Sequence, residues 1–112
     1  MKSKNTIQMD FTKAYHDAER IDDIARKLKQ LSNANLEQSM QNLAASWKGQ
    51  NATAFIRKEQ QLQQDMKITA NTLNGIADDV RRVAKRVYDA EMTAYKIAMT
   101  RTASGSGGGD TW

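Results

Sequence analysis

The chain reads as all-α, an antiparallel helix-turn-helix hairpin that pairs into a four-helix bundle. Three observations carry this reading. The 112 residues include no proline and no cysteine. Apolar residues recur at alternating spacings of three and four on both sides of the middle, and Trp47-Lys48-Gly49 interrupts that pattern. Alanine, glutamine, lysine, arginine, leucine and methionine, which lose little on entering a helix, supply much of the rest. A chain of this length makes one domain at most.

Residues 1–9 are expected to form an extended N-terminal segment around Ile7-Gln8-Met9, with Asp10 capping the first helix. That helix is expected over about 10–46. Its seam begins as Ile7, Phe11, Ala14, Ala18, Ile21, Ala25 and Leu28, passes through Ser32, and resumes as Leu36, Met40, Leu43 and Trp47. The interruption amounts to a four-residue insertion, a stutter. With no proline or glycine at Ser32-Asn33-Ala34-Asn35, a straight helix with a drifting seam is preferred to a kink.

The turn is placed at residues 47–50. Gly49 supplies a left-handed backbone, Trp47 an indole to anchor one arm on the other, and Asn51 a cap for the second helix. The second helix, about 51–101, carries two heptad positions. Phe55, Leu62, Thr69, Ile76, Val83, Ala90 and Ile97 fill one; Glu59, Met66, Leu73, Val80, Val87 and Ala94 fill the other. All but Thr69 and Glu59 are apolar. Gly75 lies within this helix and is read as permitting close helix approach. From 102 to 112 the composition turns to glycine and serine, the mark of a flexible tail, and ends in Asp110-Thr111-Trp112. An aromatic beside a carboxylate suits a recognition tag; a disordered end is the plainer reading.

The net charge of +4 is interleaved rather than blocked. Asp22 with Arg26, Asp23 with Lys27 and Asp78 with Arg82 are four-residue pairs, acid first, as on a solvated helix face. Arg81, Arg82, Lys85 and Arg86 cluster on the second helix, but Asp78, Asp79, Asp89 and Glu91 flank them, which argues against a phosphate-tracking stripe. A basic helix lying on a membrane is a minor option. No apolar run approaches a membrane span or a secretory signal, so any export is expected to proceed without a cleavable signal peptide.

Catalysis is not expected. His16 is the sole histidine, so metal-ligand spacing is absent, and neighbouring acids such as Asp22-Asp23 point in different directions on a helix. No glycine-rich phosphate loop follows a strand. No catalytic, metal or cofactor-binding residue and no cofactor is therefore assigned.

The turn triplet Trp47-x-Gly49, Phe55 eight residues after the tryptophan, the mid-chain position of the turn and the chain length together resemble the WXG-100 family. These are the small early-secreted-antigen-like proteins exported by type VII secretion systems of actinobacteria and Gram-positive bacteria. The resemblance extends to about Glu91, and it lacks the proline that often opens the family's first helix. It implies a non-enzymatic secreted protein, a homodimer or the small partner of a larger exported effector, handled by the export ATPase and found outside the cell or at its surface. An association with virulence is likewise only implied.

The family's Tyr-x-x-x-acid signal is not met near the C-terminus, because Met92 stands four residues after Tyr88 and the acid Glu91 only three. Tyr15 and Glu19 have the spacing but lie on the first arm. A second pattern, hydrophobic-x-x-x-acid-x-x-hydrophobic-x-x-x-hydrophobic, is met by Val87, Glu91, Ala94 and Ala98.

A hairpin turning near Gly49 sets opposite each other residues whose numbers sum to about 98, so Phe11 faces Val87 and the second helix outruns the first. Beyond that point Tyr88, Met92, Tyr95 and Met99 form a further apolar stripe. They join Val87, Glu91, Ala94 and Ala98 in a candidate export and docking segment with no intramolecular cover. Ile24 and Leu31, outside the seams, are likewise expected to stay wet. The alternative to a secreted hairpin is an intracellular helical adaptor, weakly nucleic-acid or membrane binding, which would stay inside whether or not the export ATPase works.

Overall fold

Helix formation begins before Asp10. In the computed structural model, which describes residues 2–47 and 49–108 with side chains through 103, the first helix α1 spans Lys4–Gln30. Ser3 is its cap. The Ser3 hydroxyl accepts the Thr6 N–H at 3.2 Å, and the Ser3 carbonyl accepts the Ile7 N–H at 3.0 Å. The extended segment and the Asp10 cap are thereby corrected: a serine three residues ahead of a free N–H starts the helix earlier, and Ile7 is drawn into the core at 1% exposure.

The stutter is neither a kink nor a drift. Residues Leu31–Leu36 form a π-helix between α1 and α2, the latter spanning Glu37–Ser46. Leu28, Ser32, Leu36 and Met40 are separated by three successive steps of four, and each step overshoots an ideal α-turn by ~40°. A straight helix would swing the seam by ~120° over that stretch. The wider π-turn absorbs the excess, so Ser32 and Met40 are buried and Leu28 and Leu36 half-buried.

The second arm is a single helix, α3, spanning Gln50–Gly108. It opens one residue before Asn51, with the Gly49 carbonyl accepting the Thr53 N–H at 3.1 Å, so Gly49 and not Asn51 occupies the capping position. At the other end it passes the Thr102 boundary. The Thr100 and Thr102 hydroxyls donate to the carbonyls of Lys96 and Ala98, and adding turns to an existing helix avoids the cost of nucleation. Asp110, Thr111 and Trp112 lie outside the described residues.

The fold is thus all-α, an antiparallel hairpin of two arms, with no strand among the described residues. Contacts group it into two units, residues 19–78 and residues 1–18 with 79–112. In the first unit Ala25, Ser32, Met40, Ala52, Ala70 and Ala77 are buried. In the second, Ile7 and Ala18 are buried, and Phe11, Ala14, Val80, Ala84, Tyr88, Glu91, Tyr95 and Ala98 are half-buried.

The inner face of α3 therefore differs from the expected seam. The heptad position of Phe55, Leu62, Thr69, Ile76, Val83, Ala90 and Ile97 is exposed throughout. The stripe one residue further on, Ile56, Gln63, Ala70, Ala77 and Ala84, turns inward beside Glu59, Met66, Leu73 and Val80. Periodicity marks both stripes alike, and side-chain size separates them: alanines let two backbones come close, while phenylalanine and isoleucine would hold them apart. Gly75 takes no part in this approach, since a Cβ added there would meet nothing within 4 Å.

Candidate functional site

At the turn, α2 ends with Trp47 in extended conformation, φ −121° and ψ 122°, its N–H bonded to the Leu43 carbonyl at 2.8 Å. Gly49 follows with φ +116°, a backbone region that L side chains avoid. The sequence reading foresaw a left-handed glycine here, although it serves to open α3 rather than to close α2. The Trp47 and Phe55 rings meet edge to face with centroids 5.9 Å apart, and each is 45% exposed. The pair spans the turn while keeping half of each ring in water.

A second feature of the 19–78 unit carried no sequence signal beyond the stutter itself. Gln63, from α3, donates through Nε2 to the Ser32 carbonyl at 2.8 Å and to Glu37 Oε2 at 3.0 Å. The Ser32 hydroxyl donates to the Lys29 carbonyl at 3.3 Å. A π-turn loosens the regular carbonyl ladder, and a long amide from the facing helix takes up the carbonyl so released. Glu59, one turn earlier on α3, buries its Oε2 with no hydrogen-bond partner among the described residues. Beside the π-turn, Leu31, Asn35, Leu36, Ser39, Leu62 and Met66 line an open groove of about 330 Å³.

The candidate docking segment divides between two faces. Val87, Ala94 and Met99 are exposed, whereas Tyr88, Glu91, Met92, Tyr95 and Ala98 are half-buried. The expectation that nothing in the chain covers Tyr88 is overturned: its ring centroid lies 4.8 Å from that of Phe11, which in turn lies 4.6 Å from Tyr15. Gln8, Phe11 and Thr12 share a groove of about 410 Å³ with Lys85 and Tyr88. Glu91 Oε1 receives Lys2 Nζ at 3.0 Å, and the same ammonium reaches Asp10 Oδ2 at 2.9 Å. These hydrogen bonds, Asp10 first and Glu91 second, raise the Lys2 pKa above its ordinary 10.5. Phe11 covers Tyr88 from within the helix expected by sequence, whereas the contact with Glu91 comes from Lys2, just ahead of α1.

The surface charges pair locally. Arg26 reaches Asp23 at 3.5 Å and Arg82 reaches Asp79 at 3.0 Å, both at three-residue spacing, and Lys85 reaches Asp89 at 3.0 Å. Much of the basic cluster on α3 is thereby matched by acids of the same helix. Among the described residues no group of histidine, cysteine and acidic side chains is placed to hold a metal ion, and no helix is long and apolar enough to cross a membrane.

The outer stripe of α3 carries Phe55, Leu62, Ile76, Val83 and Ile97, joined by Val87 from the other heptad position, each between 44% and 57% exposed. Ile24 and Leu31 of the first arm are exposed as expected. Neither the curated proteins nor the solved structures contain a match to this chain. The family of proteins of 100 residues with WXG matches over residues 6–92, through the turn, both arms and most of the half-buried segment, and the chain belongs to that WXG100 family.

Proposed function

We propose that this protein acts without catalysis of its own, as a type VII secretion substrate that pairs with a second helical hairpin. The mate is another copy of the chain or the corresponding hairpin of a larger exported protein. The observation that carries the reading is the outer stripe of α3. Ala52, Ala70 and Ala77 are the buried residues of α3, and Phe55, Leu62, Ile76, Val83 and Ile97 stay about half exposed on one heptad position, with Thr69 and Ala90 between them. Such a row is the seam of a further helix contact, and a four-helix bundle covers it. Family membership supplies the secretion side of the proposal, and Trp47, Gly49 and Phe55 at the turn are its recognition candidates.

The test is sedimentation equilibrium on the full chain, beside a variant carrying Ile76→Asp and Val83→Asp. The intact chain is expected as a dimer and the variant as a helical monomer. A compact wild-type monomer excludes self-pairing and leaves the hairpin of a larger exported protein as the mate. Accumulation in the medium, compared with and without a working export ATPase, tests secretion: retention inside the cell in both strains would refute it. Trp47→Ala, folded but retained in the cytoplasm, would assign the turn to recognition.

A further inference from the structure

We infer that Asp65 and Arg86 select a second copy of this chain as the mate, by fixing two α3 helices antiparallel, outer stripe to outer stripe, about a twofold axis at Ile76. This rests on the pairing proposed above and names the occupant of its surface. α3 is a single helix, so heptad spacing places Phe55, Leu62, Thr69, Ile76, Val83, Ala90 and Ile97 on one line, and all seven are exposed. A twofold axis at Ile76 sets opposite each other residues whose numbers sum to twice 76. Phe55 then meets Ile97, Leu62 meets Ala90, Thr69 meets Val83 of similar shape, and Ile76 meets its own copy. The one alanine of the line thus faces a leucine, and no gap falls opposite a gap.

The outer flank of this line decides the register. Lys58, Asp65, Thr72, Asp79, Arg86 and Thr93 each stand three residues after a member of it, and all are exposed. In an antiparallel pair the same flank of each helix faces itself. With the axis at Ile76, Asp65 comes opposite Arg86 twice, Thr72 opposite Asp79 and Lys58 opposite Thr93, and no like charges meet. Sliding the copies one heptad in one direction opposes Asp79 to Asp79; sliding them in the other opposes Asp65 to Asp79 and Lys58 to Arg86. A parallel pair turns this flank toward Met66, Leu73, Val80 and Val87 instead, and sets Phe55 on Phe55 and Ala90 on Ala90. On the other flank of the antiparallel pair Met66 meets Val87 and Leu73 meets Val80, so apolar contacts continue toward the hairpin's own core. Asp65 and Arg86 also suit an intermolecular role locally. No basic residue lies three or four positions from Asp65, whose Oδ1 accepts the neutral Gln61 amide at 2.9 Å. Asp89, three residues after Arg86, receives Lys85 on both carboxylate oxygens at 3.0 and 3.1 Å.

The experiment uses the full chain, which contains no cysteine, with two readouts. Under mild oxidation Ile76→Cys is expected to cross-link to its own copy. Val83→Cys is expected not to, because the two copies of residue 83 lie about 21 Å apart along the helices, whereas mixed Thr69→Cys and Val83→Cys chains should cross-link to each other. In sedimentation, Asp65→Arg and Arg86→Asp are each expected to weaken the dimer about ten- to hundredfold, since like charges then meet twice. An equimolar mixture of the two should regain wild-type affinity, because every altered charge again meets its opposite, and that recovery also shows both variants to be folded. Self-cross-linking of Val83→Cys would overturn the antiparallel register. Variants as weak mixed as apart would overturn the roles of Asp65 and Arg86. A monomeric wild type that binds the hairpin of a larger exported protein would overturn the choice of a second copy and leave the pairing reading intact. A wild-type dimer with the expected cross-links that is retained in the cell would support this inference while the export part of that reading fails.

Discussion

Two glycines show how far a residue type alone can be read. Gly49 and Gly75 both punctuate a helical pattern, and the space around each is open. They differ in backbone: Gly49 sits at φ +116°, while Gly75 lies within α3 with no positive φ. Gly49→Ala should therefore cost about 1 kcal/mol through strain, and Gly75→Ala should gain about 1 kcal/mol through helix propensity. Urea denaturation of both variants gives the signs. Lys2 offers a second test at this scale. Its pKa is raised, so the pairing it makes is fully present below 10.5 and is lost as the pH climbs through the raised value. An NMR titration of the Lys2 side chain should show the largest fall in pKa for Asp10→Asn and a smaller one for Glu91→Gln, following the order of their contributions.

Among the elements, the turn and the existence of both arms were legible because Trp47, Gly49 and long three-four periodicities are local signals. The inner face of α3 was not. Apolar residues occupy adjacent stripes of that helix, and the choice between them depends on how closely the facing backbone approaches, which no window of one strand of sequence contains. The start of α1 was missed because Ser3 as a cap and Asp10 as a cap look alike until one sees which N–H is reached. The stutter was legible as a position but not as a π-turn, since drift and widening satisfy the same spacing.

Where the helix widens, the amide of Gln63 on the facing helix takes up the Ser32 carbonyl. Gln63→Ala leaves that buried carbonyl and Glu37 without this donor and should cost about 1–3 kcal/mol. Glu59→Leu, which removes an unpartnered carboxylate oxygen from the same face, should stabilise the hairpin. Thermal melts of the two variants should move in opposite directions. Equal losses in both would show that Glu59 has a partner in solution.

For the whole molecule, the use of alanine on the inside has a consequence for supply. Ala18, Ala25, Ala70 and Ala77 fill interior positions, and the bulkier Phe55, Ile76, Val83 and Ile97 are left outside. Folding alone therefore leaves these apolar side chains exposed, and under the proposed pairing it is the mate that covers them. Pairing follows mass action, so the share of chains with that surface uncovered depends on how many mates are made. A cell that produced this hairpin in excess of its mate would accumulate a correctly folded but poorly soluble product. On these grounds its synthesis should be matched to that of its mate, and where the mate is another copy, dilution alone would return the chain to its sticky form.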